Sequence, residues 1–341
     1  MKVFRKYPLY LHALKRLETY LPDGHWKLEE IQEEIYRQEA GYSGEKAVDR
    51  EIRKVQLAGP VQVLTDLQFN NGPDPADIIQ IDTLILTTKG IWLIEAKRYR
   101  GKLRHQTAPR RLERVGDDGK VTTFDCPILQ LENQIRAVKK WLADREIHLP
   151  VMGTVAFVSR NTWEGLPADA PIIPAKELPT YLERSYDKWG EVIGFTTFGK
   201  IAVELAVERG RFNPFPLCPR FGINPQDLKR GFLCPACTRR MNRITQRRFK
   251  CPACQTVRPP DYGKLILDWL LLIHLTITTH QFRAFAGLKS KASATRILSE
   301  YELTQIGESV KACYTVDLLS GLSGTELKKR KKPKTESQSQ A

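Results

Sequence analysis

A chain of 341 residues, 41% of them hydrophobic, has room for two or three domains and a real core. Its formal net charge of +15 and pI near 9.5 point to a polyanionic partner, nucleic acid before any other, against the bland alternative of a solvated basic surface. Seven cysteines, an odd number, argue against a secreted disulfide scaffold, and the longest apolar run, Leu265 to Ile277, is too short for a membrane span and carries Asp268 and His274.

The first residues, Met1 to Lys6, lack the apolar core of a signal peptide, so a reducing cytoplasm is the expected compartment. Leu9, Leu11, Leu14 and Leu17 predict one amphipathic helix, and Leu28, Ile31 and Ile35 a second. Together they form a helical cap over residues 1–40. Gly41-Tyr42-Ser43-Gly44-Glu45 then predicts the start of a further helix reaching about Gln56, with Ser43 as N-cap and Val48, Ile52 and Val55 facing the core. Glu45 either reaches toward the sheet or only satisfies the helix dipole.

Val61–Phe69 predicts a strand. Two β-branched runs follow, Ile78–Leu86 and Ile91–Ile94, joined by Thr87-Thr88-Lys89-Gly90 in the manner of a hairpin. Asp82 sits within the first run. Glu95 and Lys97 end the second, two residues apart and therefore on one face. Charges facing a core must be paired, neutralised or bound to metal. Two acids and a lysine at one sheet edge suit Mg²⁺-assisted phosphodiester hydrolysis, with Asp82 and Glu95 on the metal and Lys97 orienting or deprotonating water. An ordinary salt bridge of Glu95 with Lys97 or Arg98 remains the competing explanation.

Further strands are expected around Leu103, Leu112–Val115 and Lys120–Phe124, the last two joined at an Asp-Gly turn. Pro127 opens a helix to about Arg145, with Gln130 and Gln134 one turn apart. Val151–Ser159 is a continuous apolar strand, as in a sheet buried on both faces. Ile172-Ile173 is a short edge strand. Ala175–Arg184 is a helix, and Lys200–Glu208 a helix or a strand.

Gly44-Glu45, Gln80-Ile81-Asp82, and Gly90-Ile91-Trp92-Leu93-Ile94-Glu95-Ala96-Lys97 together resemble the nuclease-related domain, NERD, of the PD-(D/E)xK superfamily. The resemblance covers roughly residues 41–160. It implies a restriction-endonuclease-like fold, with Glu45, Asp82, Glu95 and Lys97 at metal-binding and catalytic positions and Gln130 close by. Mg²⁺ or Mn²⁺ would be the catalytic ion, held by Glu45, Asp82 and Glu95. Two departures stand out: Tyr42 where the family often has a glutamate, and Cys126 before Pro127 where it often has asparagine.

After a Pro-rich stretch read as a linker, Cys234-x2-Cys237 and Cys251-x2-Cys254 have the spacing of a four-thiolate structural zinc site and look like a zinc ribbon. Arg239, Arg240, Arg243, Arg247, Arg248 and Lys250 lie between the two cysteine pairs, a candidate phosphate-contacting surface. Leu265–His274, Ile277–Gly287 and a helix opening at Ser290, followed by two strands around Gly307, resemble a winged helix-turn-helix. Lys291 and Arg296 stand on its candidate recognition helix. A protein-docking helical module is the alternative.

The sequence thus predicts an α/β protein: a restriction-endonuclease-like mixed sheet flanked by helices, then a zinc ribbon and a small helical winged-helix-like domain. The expected order is cap 1–40, nuclease domain 41–211, linker 212–231, ribbon 232–258, winged unit 261–320 and a basic disordered tail 321–341. The expected activity is metal-dependent hydrolysis of DNA, with RNA also open. The alternative is a DNA-binding regulator or processing subunit on a nuclease scaffold. No membrane partner is expected, and the sequence does not fix an oligomeric state.

Overall fold

The computed structural model describes residues 1–330 other than 71, 73, 75, 76, 117, 210–212, 246 and 320–324. The chain divides into two compact units. One comprises Met1–Lys6 and Arg37–Phe212; the other comprises Tyr7–Tyr36 and Asn213–Ala341. The residues expected to form one N-terminal cap are therefore shared between the two.

The chain opens on α1 (Leu9–Tyr20) and α2 (Leu28–Ile52). The break expected at Gly41, with Ser43 as N-cap, does not occur: α2 runs through Gly41 and Gly44 as one 25-residue helix. Two interior glycines cost about 1 kcal/mol each relative to alanine. Burial of Ile31 and Ile35 near one end and of Val48 and Ile52 near the other outweighs that cost. Gly44 has a steric reason, since a Cβ there would stand 3.3 Å from the Arg98 Cβ. Glu45 is thus a mid-helix residue, and the helix-dipole explanation for it falls away.

The first unit continues with β1 (Val61–Asn70), β2 (Ile78–Thr87), β3 (Ile91–Lys97), β4 (Gly101–Thr107), β5 (Arg110–Val115) and β6 (Val121–Asp125). Then come α3 (Pro127–Ala143), β7 (Val151–Phe157), β8 (Asn161–Glu164), β9 (Ile172–Pro174), α4 (Leu178–Asp187) and α5 (Phe195–Ala206). The central sheet has the order β1-β2-β3-β7-β9; its first three strands are antiparallel, and β3, β7 and β9 are parallel. The strands between β3 and α3 build a separate sheet, β6-β5-β4-β8.

Alternation along β3 explains the two cores. Ile91 and Leu93 pack with Leu131 and Val138 of α3 and Ile201 of α5. Trp92 and Ile94 pack with Val48 and Ile52 of α2 and Leu178 and Leu182 of α4. A sheet covered on both faces is what the continuous apolar strands call for. The β2–β3 turn is closed by the Thr87 hydroxyl, which accepts from the amides of Lys89 (3.0 Å) and Gly90 (3.1 Å). Gly90 is required by space as much as by the turn: a Cβ there would meet Met152 Cε at 3.0 Å and the Pro150 carbonyl at 3.1 Å.

The second unit adds α6 (Leu217–Phe221), β10 (Asn242–Thr245), β11 (Arg248–Lys250), β12 (Val257–Arg258), α7 (Tyr262–Leu272), β13 (Ile277–Thr278), α8 (Thr279–Ala286), α9 (Lys291–Ser299), β14 (Thr304–Ile306) and β15 (Cys313–Thr315). The stretch expected to be a featureless linker carries α6 and buries Leu217, Cys218, Ile223 and Leu228 against α1 and α7 residues. A Thr278–Gln281 capping box starts α8, and Gly287 in the left-handed region (φ 65°) ends it. The small sheets are β10-β11-β12 and β13-β15-β14. Arg330, within the expected disordered tail, is pinned: it donates from Nε to the Tyr301 carbonyl (2.9 Å), and its amide reaches Glu300 O (2.9 Å). Residues 321–324 and 331–341 of that tail lie outside the described residues. No helix among the described residues is long and apolar enough to cross a membrane.

Candidate functional site

Glu95 and Lys97 leave the end of β3 on the α3 face, the same side as Leu93. Glu95 is 2% exposed. Its Oε1 pairs with Lys97 Nζ at 2.7 Å, and its Oε2 accepts from Gln134 Nε2 at 2.7 Å. Lys97 Nζ also donates to Gln130 Oε1 at 2.8 Å. The two glutamines, one turn apart on α3, therefore hold one reactive-type side chain each. Gln130, which the family resemblance puts close by, is thus a hydrogen-bond partner of Lys97. Gln134, which the sequence marked only as its neighbour, grips the acid and the Gln80 carbonyl (2.9 Å) as well, while its buried Oε1 has no hydrogen-bond partner.

Asp82 on β2 meets this pair from the adjacent strand. Its Oδ2 accepts the Ala96 amide at 2.9 Å. The carbonyl of Asp82 receives Arg5 Nη2 at 3.0 Å. Arg5 is the residue the sequence did not single out. Its guanidinium also contacts Glu45 (2.9 Å), Asp49 (2.9 and 3.1 Å), Asp66 (3.1 Å) and the Thr83 hydroxyl (2.9 Å). The Met1–Lys6 segment is anchored for this purpose: Phe4 O accepts from Thr65 Oγ1, and Val3 O from Arg53.

Asp66 lies between the strand pairs Thr65–Thr83 and Leu67–Ile81, opposite Asp82, and has φ 57°. A left-handed residue inside a strand is strained by about 1–2 kcal/mol, least for Asp and Asn. That strain marks the edge of the same cluster. Some signal for the missed residues existed. Asp49 is four residues from Glu45 on a helix, and Asp66 is an aspartate inside a strand, where aspartate is depleted. Nothing in the sequence marks Arg5.

The charges do not balance. Five carboxylates, those of Glu45, Asp49, Asp66, Asp82 and Glu95, share three cations, Arg5, Lys97 and, at Asp66, Arg209. Burial, then Glu95 and Glu45, push Asp82 well above the usual carboxylate range. Glu45 rises to about 7, chiefly through burial, with Asp66, Asp49 and Glu95 adding to it and Arg5 opposing. Burial also raises Asp66. For Lys97, burial favours the neutral amine, but Glu95 and Asp82 outweigh it and its pKa rises. Lys97 is therefore an ammonium at neutral pH. It can stabilise developing negative charge; it cannot, in this state, take a proton from water.

Hard oxygen donors with surplus negative charge fit a hard divalent cation. As they stand, Glu45, Asp82 and Glu95 are not drawn into one ligand group. Among the described residues the one group of three or more ligating side chains within 4.8 Å is the cysteine quartet. The salt bridge of Glu95 with Lys97 is thus present, while the three acids do not form a ligand group within 4.8 Å.

The quartet lies in the second unit. Sγ separations are 3.4 Å for Cys234–Cys254 and Cys237–Cys251, and 3.6 Å for Cys237–Cys254. These are far longer than a disulfide bond. Four thiolates about 2.3 Å from one ion in a tetrahedron stand about 3.8 Å apart, so the cluster can hold a metal ion with little movement. Around it, Arg239, Arg240, Arg243, Arg247, Arg248 and Lys250 are all exposed, and none is ion-paired among the described residues. Lys291 and Arg296 are exposed on α9, but Arg296 pairs with Glu300 at 2.6 Å. Arg243 and Arg296 both act on the Tyr262 hydroxyl, against the larger effect of burial, which ties the cysteine-held hairpin and α9 to one neighbourhood.

The family model of the nuclease-related domain matches residues 40–158. That span runs from α2 through β7 and includes Glu45, Asp82, Glu95, Lys97, Gln130 and Gln134. No curated protein and no solved structure matches the chain.

Proposed function

We propose that this chain is a Mg²⁺- or Mn²⁺-dependent nuclease that hydrolyses phosphodiester bonds of DNA. The observation that carries this is the surplus of buried carboxylate beside an ammonium at the end of β3, inside the span that matches a nuclease-related family. Glu45, Asp82 and Glu95 are the residues that would hold the ion. When bound, it would polarise the phosphoryl oxygen and lower the pKa of a bound water.

The chain's own residues do the rest. Lys97, kept protonated by Glu95 and Asp82, faces the negative charge that grows on the phosphoryl oxygens. Gln130 fixes the Lys97 ammonium and Gln134 fixes the Glu95 carboxylate, so neither has to be ordered during reaction. Glu45, pushed up to about 7 without metal, would give up its proton as the ion binds. In the second unit, the cysteines would hold structural Zn²⁺ as a zinc ribbon. The helices α7 to α9 with β14 and β15 would act as a winged helix-turn-helix. The exposed arginines of the ribbon, with Lys291 and Arg296, would contact DNA phosphates.

A second reading is a DNA-binding regulator or processing subunit on this scaffold. It is favoured by one observation: both Glu95 oxygens are already engaged, by Lys97 and by Gln134. Incubation of circular DNA, linear DNA and RNA with Mg²⁺, Mn²⁺ or EDTA separates the two. Metal-dependent cleavage lost in Glu95→Gln and Lys97→Ala supports the nuclease. Tight DNA binding with every substrate left intact supports the regulator, and cleavage of RNA alone moves the substrate class.

A further inference from the structure

β3 and β7 are adjacent and parallel, so both leave the central sheet at the same edge. In open α/β sheets the region beyond the carboxyl ends of such strands is where ligands bind. Here the two exits and one face of α2 enclose a pocket of about 360 Å³. Arg98 and Arg100 come from the exit of β3, Ser159 and Arg160 from the exit of β7, and Ser43 and Arg50 from α2. Its volume falls near the lower end of the range for ligand sites, about 300–1,000 Å³.

The lining contains four guanidiniums and no carboxylate. Some surface cations of this unit are neutralised, Lys102 and Arg104 by Glu164, Arg110 by Glu132 and Arg145 by Glu204, while Arg111, Lys120 and Lys139 stand singly with no acidic partner among the described residues. Among the described residues, Arg50, Arg98, Arg100 and Arg160 have no acidic partner; Arg98 donates only to the Ser43 hydroxyl. Four like charges around one small space repel each other unless an anion joins them. Arginine forks match phosphate oxygens in pairs, and serine hydroxyls complete such sites. The walls are also built to stay: Gly44 lets the start of Arg98 sit close against α2, and the Val158 amide bonds the Lys97 carbonyl at 3.0 Å.

The pocket adjoins the acid cluster through the chain itself. Arg98 follows Lys97, and Ser43 lies two residues before Glu45. Successive Cα atoms are about 3.8 Å apart, so the lining of the pocket begins where residues of the acid cluster end, at the exit of β3 and along α2. We propose that this arginine pocket binds a second phosphate group of the nucleic-acid strand, next to the one that is cleaved, and so sets where the strand lies across Glu95 and Lys97. The proposal rests on the nuclease reading for the identity of the strand, and on the pocket alone for the binding of phosphate.

The test uses the full chain with no added Mg²⁺ or Mn²⁺, where metal-dependent cleavage does not take place and the cysteine site keeps its ion. Inorganic phosphate is titrated by calorimetry into the wild type, into Arg100→Ala/Arg160→Ala and into a control of equal charge loss, Lys139→Ala/Lys140→Ala on exposed α3 positions. All four substituted residues are surface-exposed, so the fold is kept. The expected result is binding to wild type and control, and at least tenfold weaker binding to the arginine variant. For a short single-stranded oligonucleotide the salt slope should fall by about 0.7, the value for one phosphate neutralised. Oligonucleotides with a 5′-phosphate, a 3′-phosphate or neither tell a terminal phosphate from an internal one, and each assignment requires the same loss in the arginine variant. Equal affinities for the arginine variant and the control would overturn the proposal. Absence of cleavage with Mg²⁺ or Mn²⁺ would instead remove the nuclease reading and leave phosphate binding standing.

Discussion

Each unit buries a cluster of charge, and the two clusters are built to opposite rules. In the second unit Asp268, 1% exposed, takes Arg16 Nε at 2.8 Å, Arg16 Nη2 at 2.6 Å and the Tyr20 hydroxyl at 2.9 Å. One anion meets one cation and one neutral donor, and both carboxylate oxygens are satisfied. In the first unit five carboxylates meet three cations, Arg5, Lys97 and Arg209, and Glu45, Asp66 and Asp82 are all pushed up in pKa. The balanced cluster is closed to further chemistry. The unbalanced one keeps a standing attraction for positive charge, which a structural ion pair has no use for.

The contrast is sharpest in how each cluster responds to the loss of one member. In the first unit, Lys97→Ala removes the ammonium proposed to face the transition state, and Glu95→Gln removes a carboxylate from the proposed site. Each should lower cleavage by about three orders of magnitude, comparable to about 4 kcal/mol, and Lys97→Ala, which strands the buried Glu95 carboxylate, should lower the unfolding midpoint as well. Steady-state cleavage alongside denaturant titration tests both halves. A variant that retains cleavage would break the assignment of the site. In the second unit, Asp268→Ala strands the Arg16 guanidinium and should cost about 3–5 kcal/mol of stability, read as a shift in the denaturant midpoint. If Asp268→Ala were neutral, the closed cluster would not be the structural element that its geometry implies.

A smaller effect is expected from Gln134→Leu. It leaves Glu95 Oε2 and the Gln80 carbonyl without their donor, so the carboxylate is free to rotate. Cleavage should drop about ten- to a hundredfold, with a metal requirement shifted to higher concentration. Gln134→Glu, which adds a sixth acid and no donor, should be worse than Gln134→Leu.

How much of this was legible beforehand depends on the range of the interaction. Residues close in sequence were readable. The β2–β3 hairpin, α3 and the place of Glu95 and Lys97 on one face follow from period and turn chemistry alone. The four cysteines declare their cluster by spacing. The continuous α2 was not readable, because Gly41 and Gly44 look like a break, and only the close approach of Arg98 explains one of them. Nor was Arg5, which reaches the cluster from 40 residues before Glu45 and 77 before Asp82. The sequence pattern of a strand or helix records which face is buried; it does not record which distant cation will be laid against it. The reading of 212–231 as a linker failed for a related reason: Leu217, Cys218 and Ile223 show no period, yet each finds a place in a core built from segments far along the chain.

The surplus charge makes a prediction that runs against the usual behaviour of acidic groups. A carboxyl whose pKa is raised on folding binds its proton more tightly in the folded than in the unfolded chain. It favours the folded state most below its unfolded value, near 4.5 for Glu45, and that advantage is lost as the pH rises through its folded value of about 7. Without divalent metal, the first unit should therefore become more stable as the pH falls from about 7.5 to about 5.5. Glu45→Gln, which removes the charge at every pH, should raise its stability at pH 7.5 by about 1 kcal/mol, or about 2–4 °C in melting temperature, and flatten the pH dependence. The same substitution should abolish or strongly depress cleavage, and it should weaken the stabilising effect of added Mn²⁺. Thermal melts of wild type and Glu45→Gln at both pH values, with and without Mn²⁺, test the full set. A loss of stability in metal-free Glu45→Gln would mean that the Arg5–Glu45 bond outweighs the crowding of acids, and the first cluster would then be a balanced one like that of Asp268.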